Sequence, residues 1–177
     1  MRVTQKTTRD AHNLQASFIA QQPDRLRVDV TSALDTVVFV MVMNEKEVRF
    51  LVPREKKYYI TQQGERALRP ILNVPLDPRA LLSFLFDQFP ADKMWKCVVA
   101  ASGLPQSCRH LRHKIQVQWK SRDGERRKLL VSSDQVEIEM SLGDFQAKVE
   151  NPDKIFDLKI PPRYQVIDEE TADSVSF

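Results

Sequence analysis

The stretch Val37-Val38-Phe39-Val40-Met41-Val42-Met43 decides the fold, because every side chain in it is apolar. A strand with one wet face alternates apolar and polar residues, so a strand without that alternation must be covered on both faces. Two interpretations account for the cover. Residues 37–43 form a central strand packed under helices, or one of their faces lines a lipid-sized cavity in which Met41 and Met43 are adaptable walls.

The segments on either side have the alternation of half-buried strands. In Arg25-Leu26-Arg27-Val28-Asp29-Val30-Thr31, polar and apolar side chains alternate without a break. The same pattern recurs at residues 115–119, 136–140, 145–149 and 156–160. Short polar turns at 44–47, 122–125 and 132–134 join neighbouring strands as hairpins. The sequence therefore predicts an antiparallel meander from residue 2 to about residue 61, resuming after residue 87.

Two short helical segments interrupt these strands. Residues 63–72 carry apolar side chains at helical spacing, and Asp77-Pro78 begins a second helix that Phe89-Pro90 ends. The second helix has a broad apolar stripe, too short to cross a bilayer but wide enough to cover the opening of a sheet. Its members are Leu81, Leu82, Leu85 and Phe86. Ordinary core packing is the alternative account of this stripe.

The composition indicates one domain. With 177 residues, 42% of them hydrophobic, and no Pro-rich or Gly/Ser-rich linker, residues 1–167 form a single domain with a sizeable core. Residues 168–177 are predicted to be a flexible C-terminal tail. The net charge of +3 comes from 27 basic and 24 acidic residues, which is not the pattern of a nucleic-acid-binding protein.

One turn is locally basic. Arg122, Arg126, Arg127 and Lys128 lie together there, where they either contact anionic headgroups or simply keep the turn soluble.

The chain starts with Arg2-Val3-Thr4-Gln5-Lys6, without the basic and apolar regions of a signal peptide, so a targeting segment is absent from this chain.

The two cysteines allow two interpretations. Cys97 and Cys108 flank a turn signal, Ser102-Gly103-Leu104-Pro105, which would place them side by side in a hairpin. A disulfide between them suits an oxidising compartment. The alternative is a zinc site in which His110 and His113 complete the ligands, but in a strand these two histidines point to opposite faces, so this site needs a bulge.

Catalytic patterns are scarce. The sequence contains no glycine-rich phosphate loop, no HExxH and no nucleophile elbow, and it has only four glycines. Acidic pairs such as Glu137 and Glu139 lie on the polar face of an amphipathic strand, where solvation explains them. We therefore expect no enzymatic activity, no cofactor and no metal.

Several motifs together resemble a known family. They are Pro23-Asp24-Arg25-Leu26-Arg27-Val28-Asp29-Val30, Ser32-Ala33-Leu34-Asp35, Val48-Arg49-Phe50-Leu51-Val52-Pro53 with Lys57-Tyr58-Tyr59, and Val149-Glu150-Asn151-Pro152-Asp153 followed by residues 156–167. This succession of strands and turns, spread over most of residues 1–167, resembles the bacterial LolA/LolB lipoprotein-trafficking family, the LolB branch slightly more than the LolA branch.

The resemblance implies a mainly β (α+β) fold, an incomplete antiparallel β-barrel closed by short helices. It also implies a hydrophobic cavity that takes the acyl chains of lipoproteins. The expected cavity residues are Val37, Val38, Phe39, Val40, Met41, Val42, Met43, Leu81, Leu82, Leu85 and Phe86. The implied function is to carry or receive lipoproteins or other lipids in the cell envelope, in the periplasm or at the outer-membrane surface, as a monomer. The implied partners are the acyl chains, that membrane surface and a carrier or receptor protein of the same pathway.

The LolB branch has a leucine that protrudes from a loop between two early strands and helps to transfer lipid to the membrane. Leu34 lies at the matching position, where it either protrudes or folds inward as a hairpin staple. The chain has no N-terminal cysteine for lipidation and lacks the helix that the family places before its first strand. The resemblance therefore leaves open a soluble carrier, a truncated membrane-anchored receptor and a divergent lipid-binding relative. An envelope sensor or interaction module that uses the same fold to bind a protein partner is the alternative function.

Overall fold

A computed structural model describes residues 1–64, 67–68, 74–144, 146 and 148–168. With 49% of residues in strands and 9% in helices, the protein is mainly β, as predicted. The strands are β1 Arg2–Gln5, β2 Ala11–Gln21, β3 Arg25–Ser32, β4 Val37–Met43, β5 Glu47–Val52, β6 Lys57–Gln62, β7 Trp95–Val99, β8 Pro105–His110, β9 Gln116–Asp123, β10 Arg126–Ser132, β11 Val136–Leu142 and β12 Gln165–Asp168. The helices are α1 Pro78–Leu85 and α2 Pro152–Ile155, with a 3-10 turn at Pro53–Glu55.

All twelve described strands form one open sheet in the order β12-β6-β5-β4-β3-β2-β1-β11-β10-β9-β8-β7. Every neighbouring pair is antiparallel except β12 and β6, which are parallel. The predicted antiparallel meander is confirmed for two runs of hairpins, β1 to β6 and β7 to β11. Pairing between β1 and β11 joins the two runs, and the sheet ends at the edge strands β12 and β7.

The sheet is strongly curved. Strands β4 and β10 are five positions apart in its order, which corresponds to about 24 Å along a flat sheet. Met41 of β4 and Val131 of β10 nevertheless line the same cavity. The two runs of strands therefore wrap around a common apolar interior, and α1 packs into that interior.

Helix α1 begins where the sequence predicts. Asp77 is its N-cap, and the carboxylate of Asp77 accepts a hydrogen bond of 2.8 Å from the backbone N–H of Arg79. Pro78 occupies the first turn, where its missing N–H costs nothing. Most of the first predicted helical segment, namely residues 65–66 and 69–72, lies outside the described residues. Leu68 is buried in the main core.

The double burial of β4 has two causes. Phe39, Met41 and Met43 belong to the main core inside the curve of the sheet. Val40 and Val42 face the outside of the curve, where residues 149–164 cover them. We call residues 149–164 the C-terminal strap. The prediction of double cover is wrong for Val37 and Val38, which are exposed beside a β-bulge in the pairing of β3 with β4.

The strap replaces a predicted strand. Residues 156–160 are not a strand but irregular chain after α2, with Phe156 and Leu158 buried while Asp157 and Lys159 are exposed. The alternation arises because this segment lies across the outer face of the sheet instead of pairing at its edge. Of the strand predicted at 145–149, residues 145 and 147 lie outside the described residues, and Gln146, Lys148 and Val149 are not in a strand. Asp168, predicted to begin the tail, is the last residue of β12, and residues 169–177 lie outside the described part.

Candidate apolar binding site

An apolar cavity lies between the inner face of the sheet and α1. Its volume is about 40 Å³, and all of the side chains around it are apolar. They are Met1, Phe18, Val28, Val30, Phe39, Met41, Phe50, Leu68, Val74, Leu76, Leu81, Val131, Ile138 and Met140. Strands from both runs contribute, so the cavity is at the centre of the curved sheet.

In this conformation the cavity is small. A volume of about 40 Å³ compares with about 30 Å³ for one water molecule in the liquid, so an acyl chain does not fit. The cover consists of α1 together with residues 67–68 and 74–76. Three methionines, Met1, Met41 and Met140, are part of the wall, and unbranched thioether side chains repack at low cost. An apolar ligand would enter by displacing this cover.

The predicted cavity residues divide into three groups. Phe39, Met41 and Leu81 line the cavity. Met43, Leu82 and Leu85 are buried in the core around it. The remaining predictions are wrong in position: Val40 and Val42 face the strap, while Val37, Val38 and Phe86 are exposed.

Most of the lining residues lie outside the doubly apolar stretch 37–43 and the stripe of α1. Val28 and Val30 of β3, and Ile138 and Met140 of β11, are the inward positions of strands whose alternation was recognised. The lining could therefore be predicted from the side chains on the apolar face of each alternating strand.

The end of α1 is anchored by a charged cluster. Asp87 follows the helix in a left-handed conformation, with φ of 54°. Its carboxylate accepts a hydrogen bond of 2.7 Å from the indole N–H of Trp119 and lies 3.3 Å from Nε of Arg122 and 3.0 Å from Nε of Arg127. Arg127 also donates to the carbonyl oxygen of Leu85, across 2.6 Å.

The same contacts change the interpretation of the basic turn. Arg122 and Arg127 contact Asp87, and Arg122 also donates to the carbonyl oxygen of Pro105. The Asp87 carboxylate is only 11% exposed, so the cluster fixes the C-terminal end of α1 to β9 and β10. Of the four basic side chains predicted to contact headgroups at this turn, Arg126 and Lys128 lie outside the cluster. Lys128 lies 3.3 Å from Glu139.

The strap is fastened to the outer face of the sheet by Tyr58. The Tyr58 hydroxyl donates a hydrogen bond of 2.6 Å to the carbonyl oxygen of Leu158. Burial raises the pKa of Tyr58, and the nearby Arg49 guanidinium partly opposes that rise. Arg27 donates to the carbonyl oxygen of Ile155 across 3.0 Å and is held in place by Asp29, 2.7 Å away. A hydrogen bond to Asp29 is the main cause that raises the pKa of Arg27.

Leu34 protrudes from the turn between β3 and β4. Its side chain is 88% exposed, so the inward-staple interpretation is wrong. The hydroxyl oxygen of Ser32 accepts hydrogen bonds from the backbone N–H groups of Leu34 and Thr36, across 3.2 and 3.3 Å. Asp35 adopts the left-handed conformation, with φ of 57°. The turn is therefore ordered by local hydrogen bonds to Ser32 and presents Leu34 at its tip.

Cys97 and Cys108 form a disulfide, as the turn between them predicts. They are directly opposite each other in the pairing of β7 with β8, with their Cα atoms 4.0 Å apart. The zinc interpretation is wrong, because it needed both sulfurs as thiolates. In the described part of the chain, no group of three or more His, Cys, Asp or Glu side chains is placed to hold a metal ion.

Comparison with protein-family models finds no match to this chain, and comparison with curated proteins finds none either. Among the described residues, none of the helices has the length and apolar character needed to cross a membrane. The protein is thus defined by its architecture, an open and curved β-sheet with an apolar cavity under a short helix.

Proposed function

We propose that this protein binds the acyl chains of lipoproteins or other lipids in the cavity under α1 and carries or receives them in a bacterial cell envelope. The observation that carries the proposal is the lining, in which every side chain around a central cavity is apolar. Buried acyl chains gain about 0.8 kcal/mol per methylene removed from water. A cavity that opens to hold several methylenes therefore gives useful affinity without covalent chemistry.

The way in which α1 is held supports loading by movement of a cover. Helix α1 has only eight residues, so it is about 12 Å long. Its C-terminal end is fixed by Asp87, while its N-terminal end is joined to residues 74–77, which have no regular secondary structure. We expect the N-terminal end of α1, residues 67–68 and residues 74–76 to move outward while Asp87 acts as the fixed point.

Two further features agree with the resemblance to the LolA/LolB family. The curved sheet covered by a helix is compatible with the incomplete barrel of that family, and Leu34 protrudes from the matching turn. The disulfide suits an oxidising compartment such as the periplasm. The proposal therefore includes a LolB-like half-barrel with a membrane-contacting turn.

The test is to fill the cavity. Leu81 lines it from α1, and Leu81→Trp would occupy the space that a ligand needs. We expect the wild-type protein to retain lipid in native mass spectrometry and to bind a fluorescent fatty acid, and Leu81→Trp to lower that binding at least tenfold. A tenfold loss corresponds to about 1.4 kcal/mol, or roughly two methylenes.

The matched control is Val98→Trp, since Val98 is on β7 and is 57% exposed. This variant adds the same indole without touching the cavity. Equal binding by wild type and by both variants would contradict the proposal, as would a wild-type protein that takes up no acyl chain at all. Thermal unfolding of both variants separates loss of binding from loss of folding.

A second candidate function has its own observation. The edge strand β7 and the hairpin after it expose Val98 and Val99, which are 57% and 56% exposed, together with Leu104. An open edge with apolar side chains can pair with an extended segment of another protein. An envelope sensor or interaction module would use this edge, and it would be recognised by a stable protein complex that Val98→Lys disrupts while acyl-chain binding persists.

A further inference from the structure

A second cavity, quite unlike the first, lies at one end of the sheet. Its volume is about 480 Å³. Polar and basic side chains dominate its lining, which includes Lys6, Arg109, His113, Lys114, Ser133 and Asp134. We call it the basic cleft.

The turn between β10 and β11 brings two lysines together in the basic cleft. Nζ of Lys6 donates a hydrogen bond of 2.6 Å to the carbonyl oxygen of Ser133. Nζ of Lys114 lies 2.9 Å from the carboxylate of Asp134, the next residue. Because these ammonium groups approach one turn from two different hairpins, and Arg109 adds a third cation, the lining carries three permanent positive charges against one carboxylate. This excess of positive charge favours an anion.

The strand register places Leu34 at the same end of the sheet. Leu34 follows the end of β3, where Ser32 pairs with Leu14 near the start of β2. The start of β2 lies beside the end of β1, and Gln5 of β1 pairs with Val136. Val136 directly follows the turn that holds the two lysines. The exposed leucine and the basic cleft therefore lie at the same end of the sheet.

The hairpin turns at the two ends of the sheet differ in charge. Six basic and four acidic residues lie in the turns at the Leu34 end, which are residues 6–10, 33–36, 53–56, 111–115 and 133–135. One basic and three acidic residues lie in the hairpin turns at the opposite end, which are residues 22–24, 44–46, 100–104 and 124–125. The turns at the Leu34 end therefore attract an anionic surface, whereas further basic side chains of the opposite end lie in the strands beside its turns, where Arg122 and Arg127 contact Asp87.

From these observations we infer that the basic cleft binds the phosphate of an anionic lipid headgroup and so docks the Leu34 end of the protein on a membrane. This inference rests on the proposed function, because it names the surface on which lipid would be delivered. The cations would contact the headgroups, and Leu34 would enter the apolar boundary beneath them. The ligand class is a phospholipid with net negative charge, such as phosphatidylglycerol.

The test measures partition of the full chain onto phosphatidylcholine vesicles with and without phosphatidylglycerol. We expect binding that requires phosphatidylglycerol and weakens with salt. Removing one lysine near an anionic surface should lower the partition coefficient about fivefold, so Lys6→Gln/Lys114→Gln should lower it about 25-fold. The matched control, Lys46→Gln/Lys120→Gln, removes the same charge from exposed lysines in the opposite half of the sheet and should change partition less than about twofold.

Three results would overturn the inference. They are equal partition onto vesicles with and without phosphatidylglycerol, equal losses in the two double variants, and unchanged partition of Lys6→Gln/Lys114→Gln. If inorganic phosphate shifts the Ser133 and Asp134 amide resonances while vesicle binding is absent, the cleft binds free phosphate and membrane docking is wrong. Fatty-acid binding is measured separately, so a protein that binds anionic vesicles but binds no acyl chain would contradict only the proposed function.

Discussion

The hydroxyl of Tyr58 donates a hydrogen bond of 2.6 Å to the main-chain carbonyl oxygen of Leu158, and this contact joins the sheet to the strap. Tyr58 belongs to β6 and is fully buried. It lies in the same apolar cluster as Val40 and Val42, the outward side chains of β4. The strap is thus what allows β4 to be apolar on its outer face while Phe39 and Met41 face the cavity.

Replacing Tyr58 by Phe should destabilise the protein by about 1 kcal/mol, the usual net value of one hydrogen bond. The Leu158 carbonyl would keep its longer contact with Arg49, at 3.5 Å. Urea denaturation at neutral pH measures the change. Tyr164→Phe, at the partly buried edge of the same cluster, is the matched control and should cost less.

The Tyr58 contact should also make folding sensitive to alkali. Burial raises the pKa of Tyr58 above its ordinary value of 10.0, so the folded protein holds this proton more tightly than the unfolded chain does. The stabilisation is therefore complete below pH 10 and is lost as the pH rises through the folded pKa. Tyr58→Phe should flatten this fall in the free energy of unfolding. A residual fall is expected, because burial also raises the pKa of Tyr59. An identical alkaline profile for wild type and Tyr58→Phe would contradict the assignment.

The sequence predicts the local structure of this protein better than it predicts which segments pack on each face of the sheet. Alternation located β3, β9 and β11, and Asp77-Pro78 located the start of α1, because these signals depend on neighbouring residues alone. It mistook Phe156 and Leu158 for a strand, since a segment crossing the outer face of a sheet alternates just as a strand does. Which face of β4 meets the cavity depends on contacts between residues more than a hundred positions apart, and no local pattern records them.

The direction of the Leu34 side chain is likewise not predictable from the local sequence. The motif Ser32-Ala33-Leu34-Asp35 predicted a turn correctly, but direction within the turn is set by the left-handed Asp35 and by hydrogen bonds to Ser32. The basic cleft was missed altogether. Lys6 and Lys114 are distant in sequence, and the pairing of β1 with β11 and of β9 with β10 brings them to one turn.

Replacing Asp87 by Asn should loosen α1. The change leaves Arg122 and Arg127 without the charge that they share, and the side chain of Asp87 is only 11% exposed. We expect a loss of about 2 kcal/mol, within the range for hydrogen bonds to charged groups. Hydrogen exchange should accelerate more in α1 than in the strands. The control is Asp123→Asn, which changes an exposed carboxylate on the β9–β10 hairpin that carries Arg122 and Arg127. Equal effects of the two variants would contradict the anchoring role.

Removing the disulfide should destabilise the β7–β8 hairpin. Cys97 and Cys108 are 11 residues apart, so loop entropy sets a cost of about 3 kcal/mol or less for Cys97→Ala/Cys108→Ala. Alanine avoids placing a hydroxyl at the buried Cys108 position. Thermal unfolding with and without a reductant measures the effect. The wild-type protein should lose stability in reductant while the double variant should not respond, and a response by both would indicate that the reductant acts elsewhere.

Replacing Leu34 by Glu should leave folding intact and impair delivery of lipid. The side chain is 88% exposed, and exposed substitutions of this kind usually change stability by less than about 0.5 kcal/mol. A carboxylate at the tip would be repelled by an anionic membrane and could not enter its apolar boundary. The measurement is transfer of bound lipid from the loaded protein to vesicles, with acyl-chain binding recorded in parallel and Leu34→Met as the matched apolar control. A loss of several kcal/mol in stability would make Leu34 a structural residue. Unchanged transfer by Leu34→Glu would instead mean that this turn does not contact the membrane during delivery, since uptake into the cavity and insertion of the tip are separate steps.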